Sequence, residues 1–189
     1  MSKRKAIKTS KEEIVSYWMK HQGESGLSVD WKDAKQRCWR CGCKRNLEKC
    51  HIVPHVLGGK DEPENLVLLC KRCHAEGPNV LDAEIMWDWI RAYGVTFYNS
   101  FWKIEGLKEY KFIYKHSFES TIIYIMEHAE VKKDKCEIIN FIKKEMKDVE
   151  SKLSKHFGQS YLNTATIAGE YGMLVKVLAQ EMGVDITKM

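Results

Sequence analysis

Two Cys-x-x-Cys pairs, Cys38/Cys41 and Cys70/Cys73, constrain this chain more than any other feature. Zinc takes four thiolate or imidazole ligands in a tetrahedron, and two such pairs supply four from two tight turns. The 28 residues between Cys41 and Cys70 exceed the span of a simple ribbon or finger, so the intervening loop must carry structure of its own. Six of the seven cysteines fall between Cys38 and Cys73, and Cys136 stands apart. In an intracellular chain that clustering favours metal over disulfides. Cys43 and Cys50 are spare thiols that could displace one of the four assigned ligands.

Charge follows the cysteines. Residues 1–80 hold 16 Lys/Arg against 10 Asp/Glu, a balance of +6, whereas the whole chain carries +5. A positive field on the cysteine-bearing half suits contact with phosphates, although a merely solvated basic surface has the same composition. Arg40, Lys44, Arg45, Lys60, Lys71 and Arg72 surround the cysteines, and facing one groove they would give phosphate contacts that carry no base sequence. Hydrophobic residues make up 44% of the chain, enough for a real core. No apolar run reaches the ~18 residues that span a bilayer, and the N-terminus MSKRKAIKTSKEE lacks a signal peptide's apolar middle. A cytoplasmic protein with no membrane partner is expected.

Taken in order, residues 1–9 form a basic arm. Ser10 and Glu13 have capping-box spacing and open a helix from about Lys11 to His21. Residues 29–38 give at most a helical turn. Asp82 caps a helix to about Tyr93, with Gly94 as its stop. Residues 95–116 are aromatic-rich and ambiguous. Residues 118–130 read as a buried helix or a strand. Asp134 with Glu137 opens a helix striped by Ile138, Ile142, Val149 and Leu153 up to Gly158. Asn163 opens a last helix, with Ile167, Tyr171, Leu174, Leu178 and Met182 on one face and Gly183 at its end. These two long helices can pair within the chain or support a homodimer.

Within the long loop, NLEKCHI reads as a strand, VPHVLGGKDEPE as a loop, ENLVLL as a second strand and CKRCHAEG as the start of a helix. His51-Ile52-Val53-Pro54, Gly58-Gly59, Asn65-Leu66 and Leu69-Cys70-Lys71-Arg72-Cys73-His74 together resemble the HNH nuclease motif, the ββα-metal fold. The resemblance covers about residues 38–78. It implies an α+β protein in which a zinc-braced ββα-metal (HNH) module sits within a mostly helical chain. The expected division is 1–29 for the basic arm and first helix, 30–80 for the module, and 81–189 for a helical region of unassigned role.

The resemblance also implies roles. His51 matches the general base that takes a proton from the attacking water, Asn65 the residue that orients the loop bearing it, and His74 a ligand for a catalytic divalent ion. Zinc would be the structural metal, held by Cys38, Cys41, Cys70 and Cys73. The second ion would be Mg²⁺, Mn²⁺, Ni²⁺ or Zn²⁺, acting on a scissile phosphate of DNA, with RNA as a second candidate substrate. Cys50 departs from the pattern, because an acid or histidine usually precedes the base. A thiolate there would favour softer ions, and a thiol outside the site would leave the ion to His74, phosphate and water. His55, in the same loop, is a candidate phosphate contact. Against this stand a non-catalytic zinc module that binds nucleic acid, and a Cys₃His site that takes His74 as a zinc ligand.

Overall fold

A computed structural model describes residues 6–95, 97–157 and 162–188 of the 189-residue chain. It is a mixed α/β structure divided into two compact units, Met1–Phe101 and Trp102–Met189. The first unit thus extends beyond residues 30–80, taking in the preceding helix and residues 81–101. Among the described residues are eight α-helices and a two-stranded antiparallel sheet. None of the described helices is long and apolar enough to cross a membrane.

The first unit is built on the strand pair β1 (Leu47–His51) and β2 (Leu66–Cys70). Their register sets Leu47 opposite Cys70, Cys50 opposite Val67 and His51 opposite Leu66. All five residues of β2 are buried, so the strand has no solvent face and reads as an unbroken apolar run rather than an alternation. Helix α1 (Lys11–Lys20) packs on β2, as does α3 (Lys71–Glu76). The edge of β2 away from β1 is also occupied: Leu68 accepts from the Trp39 N–H at 3.0 Å, and Leu66 accepts from Trp18 Nε1 at 2.9 Å. Trp18 in turn meets Trp87 of α4 (Ala83–Arg91) edge-on, with ring centroids 4.6 Å apart.

Local sequence accounts for the helix ends. Ser10 and Glu13 form the expected capping box at α1, and the Asp82 side chain caps α4. A short α2 (Gln22–Ser25) follows α1 and ends at Gly26, whose φ of +55° suits the residue without a side chain.

The second unit holds α5 (Phe101–Tyr114, which begins on the last residue of the first unit), α6 (Phe118–His128), α7 (Lys135–Phe157) and α8 (Thr164–Met182). Helix α8 is central to it and packs against α6 and α7. Its buried face carries Ile167, Tyr171, Leu174, Leu178 and Met182, the stripe expected from sequence, between an Asn163 cap and Gly183. Residues 118–128 are helix rather than strand. The ambiguous stretch becomes α5, and a Cβ on its Gly106 would lie 2.3 Å from an Ile167 methyl, so α5 touches α8 through bare backbone there. Residues 1–5 of the basic arm, the expected stop at Gly158, and the side chains of Val149 and Leu153 lie outside the described residues.

Candidate metal centre and hydrolytic site

The four-cysteine cluster is assembled from two turns. An isolated bridge between Arg37 and Lys44 closes the first turn, where Gly42 donates to the Cys38 carbonyl at 2.8 Å and Cys38 donates to the Cys43 carbonyl at 3.1 Å. Cys70 ends β2, and Cys73 follows in the first turn of α3. The four sulfurs lie within 4.8 Å of one another, all buried. Cys41 and Cys70 are 3.9 Å apart at sulfur. Zn–S bonds of about 2.3 Å in a tetrahedron separate sulfurs by about 3.8 Å, whereas a disulfide needs about 2.05 Å. The set therefore fits a zinc ion and not a disulfide. Cys43 and Cys50 are buried nearby and stand outside the cluster.

His74 does not join the sulfurs either. Its Nδ1 lies 2.8 Å from Glu48 Oε2, and both side chains are partly exposed. Alternation along β1 puts Glu48 and Cys50 on one face and Lys49 and His51 on the other. Cys50 is 5% exposed, and burial pushes its thiol up to about 12, so the sulfur keeps its proton at neutral pH.

His51 closes β1 with a side chain 7% exposed, and its Nε2 lies 2.6 Å from Asp61 Oδ1. Asn65 immediately precedes β2 and reaches back across the loop. Its Oδ1 accepts from the Val53 N–H at 2.9 Å, and its Nδ2 donates to the Val53 and Lys60 carbonyls at 3.0 Å each. Gly59 makes this possible by lack of bulk, because a Cβ there would lie 1.8 Å from the Val53 carbonyl oxygen. The exposed His55 ring meets His51 edge-on at 6.4 Å.

The six basic residues divide into two groups. Lys44, Lys60 and Lys71 are exposed. The Arg40 guanidinium lies over the Trp89 ring at 4.3 Å and the Phe101 ring at 4.8 Å, a stacked position within the first unit. Arg72 has a side chain 10% exposed and pairs through Nε with Glu76 at 3.3 Å. Arg45 is half-buried, its N–H donating to the Gln36 carbonyl at 3.2 Å.

Two carboxylates emerge that the sequence did not single out, Glu48 and Asp61. Each contacts one of the motif histidines. Both lie among charged neighbours, in LEK and KDEPE, where an acid reads as ordinary surface, so proximity alone identifies them.

Residues 36–77 match the HNH endonuclease family model. No curated protein and no solved structure gives a significant match to the chain. The matched segment spans both cysteine pairs, β1, β2 and α3 up to Gly77, and so carries a domain of a nuclease-type family.

Proposed function

We propose that this protein is a metal-dependent endonuclease that hydrolyses phosphodiester bonds in DNA. One observation supports this reading most: His51 ends the first strand of a cysteine-braced hairpin and helix, beside a loop fixed by Asn65. His51 is the general base, because a neutral imidazole carries a lone pair that can take a proton from water. The attacking water gives its proton to His51 and its oxygen bonds to phosphorus. The bond from phosphorus to the 3′ oxygen breaks, and that oxygen takes a proton from solvent, leaving 5′-phosphate and 3′-hydroxyl ends. Asn65 holds the loop that faces the base. The exposed Lys44, Lys60, Lys71 and His55 supply phosphate contacts independent of base sequence.

The donor set also fits a second divalent ion. His74 Nδ1 and Glu48 Oε2 lie 2.8 Å apart. Two ligands at about 2.1 Å from one ion, at right angles, stand about 3 Å from each other. Glu48 thus offers the carboxylate missing at position 50, from the same face of β1, and Mg²⁺ or Mn²⁺ accepts such an oxygen. When bound, that ion would neutralise charge on the phosphate and the leaving oxygen. The cysteine cluster holds zinc as a brace.

Two observations favour a second reading, a non-catalytic zinc module that binds nucleic acid. Cys50 is a buried thiol where an acid usually stands, and Glu48 and His51 occupy opposite faces of β1. A plasmid-nicking assay across Mg²⁺, Mn²⁺, Ni²⁺ and Zn²⁺ separates the two. The enzyme reading expects metal-dependent nicks that His51→Ala abolishes while DNA binding survives. Nicking by His51→Ala at the wild-type rate, or none by the wild type with any metal, would overturn it.

A further inference from the structure

The contact between His51 and Asp61 has chemical content beyond a loop ion pair. An ionised carboxylate only accepts hydrogen bonds, so the 2.6 Å contact requires the ring proton to sit on Nε2. A neutral ring so held carries its lone pair on Nδ1. Which nitrogen is basic is thus decided by the partner of the other one.

We propose that Asp61 is a positioning residue that locks His51 in the Nε2–H tautomer and so makes Nδ1 the atom that receives the water proton. This rests on the assignment of His51 as the base. The backbone that carries the carboxylate is held from several directions. Asn65 Nδ2 donates to the carbonyl of Lys60, immediately before Asp61, and the Asn65 N–H donates to Glu62, immediately after it, both at 3.0 Å. Thr9 Oγ1 donates to the Asp61 carbonyl at 2.6 Å. Thr9 is in turn tied to β1, because Lys49 Nζ donates to the Ile7 and Thr9 carbonyls at 2.6 and 3.0 Å. Backbone anchors before, at and after Asp61 fix the loop that carries it, as required of a group that must set a ring rather than follow it. Asn65 therefore acts on His51 through Asp61 as well as through Val53. Lys49, although basic, is spent on holding the strap.

An ion pair that served only to stabilise the loop would affect folding and leave the ring chemistry alone. The test is a long-range ¹H–¹⁵N correlation on the zinc-loaded full chain with labelled histidine, recorded where the two ring ¹⁵N shifts themselves show a neutral imidazole. His51 is expected as Nε2–H in the wild type, as a tautomer mixture in Asp61→Ala, and as mainly Nε2–H again in Asp61→Glu. In the nicking assay, Asp61→Ala should lower kcat about 10- to 100-fold with KM within about twofold, and Asp61→Glu should recover most of it. A wild-type ring in the Nδ1–H form overturns the proposal without requiring any variant to fold, as does an unchanged tautomer in Asp61→Ala. If the wild type fails to nick with every metal tried, the nuclease reading fails, while the spectra still decide what Asp61 does to the ring.

Discussion

The carboxamide of Asn65 grips both polar groups of one residue, accepting from the Val53 N–H at 2.9 Å and donating to the Val53 carbonyl at 3.0 Å. A carboxamide does both from one planar group, and its remaining N–H reaches Lys60. Asn65→Ala removes three hydrogen bonds at about 1 kcal/mol each, so thermal unfolding should show a loss of about 2–3 kcal/mol. Asn65→Asp should be worse than a single lost bond, because it keeps the acceptor and turns a donor toward two carbonyls into a repelling oxygen. Equal stability of Asn65→Asp and wild type would contradict the clamp.

Gly59 gives a second, independent probe of the same loop. A methyl group there meets the Val53 carbonyl oxygen at 1.8 Å and Asn65 Nδ2 at 2.7 Å, so the backbone must move. Gly59→Ala should destabilise by about 1–3 kcal/mol in denaturant melts and lower nicking along with stability. Gly58→Ala provides a contrast, because a Cβ at Gly58 meets nothing within 4 Å and the strain comes from its φ of +93° alone.

Metal stoichiometry follows from the sulfur geometry. Elemental analysis should find one zinc per chain. Among the seven cysteines only Cys136 is exposed, so a thiol reagent should label about one quickly in the native protein. The others should react only after a chelator or denaturant opens the first unit. Cys70→Ser should lose both the zinc and the cooperative melting of that unit, since the binding free energy of a structural zinc is also folding free energy.

The second ion is tested by contrast between two neighbours on one strand face. Glu48→Ala and His74→Ala should each reduce metal-dependent nicking about 10- to 100-fold and weaken Mn²⁺ binding by calorimetry. Cys50→Ala should leave the metal preference unchanged, because a protonated thiol 5% exposed is a poor ligand. A switch of preferred metal in Cys50→Ala would return the sulfur to the site.

Phosphate contact has a salt signature. Removing Lys44, Lys60 or Lys71 should each lower the slope of log K against log salt by about 0.9, with no change in sequence preference. Arg40→Gln should leave the slope nearly intact and cost stability, since its guanidinium is stacked between Trp89 and Phe101.

The cysteine spacing, the strand–loop–strand–helix order and the capped helices were legible because each rests on local rules: ligand spacing, caps and apolar period. Ser10 with Glu13, Asp82 and Asn163 all cap the helices they were expected to open. Helix α5 was not legible. Phe101, Trp102, Tyr110 and Phe112 scatter around its circumference, and its Gly106 is explained only by Ile167, far along the chain. Arg40 and Arg72 illustrate the same limit for the site. Charge is visible in sequence, but whether a guanidinium meets solvent, a ring or an acid is decided by packing.

The two tryptophans on the outer edge of β2 have a further consequence. With Leu66 and Leu68 already serving as acceptors for Trp18 and Trp39, the hairpin has little backbone left there to offer a third strand. Self-association by sheet extension is disfavoured on that side, and a bound peptide would have to read side chains instead of continuing the ladder.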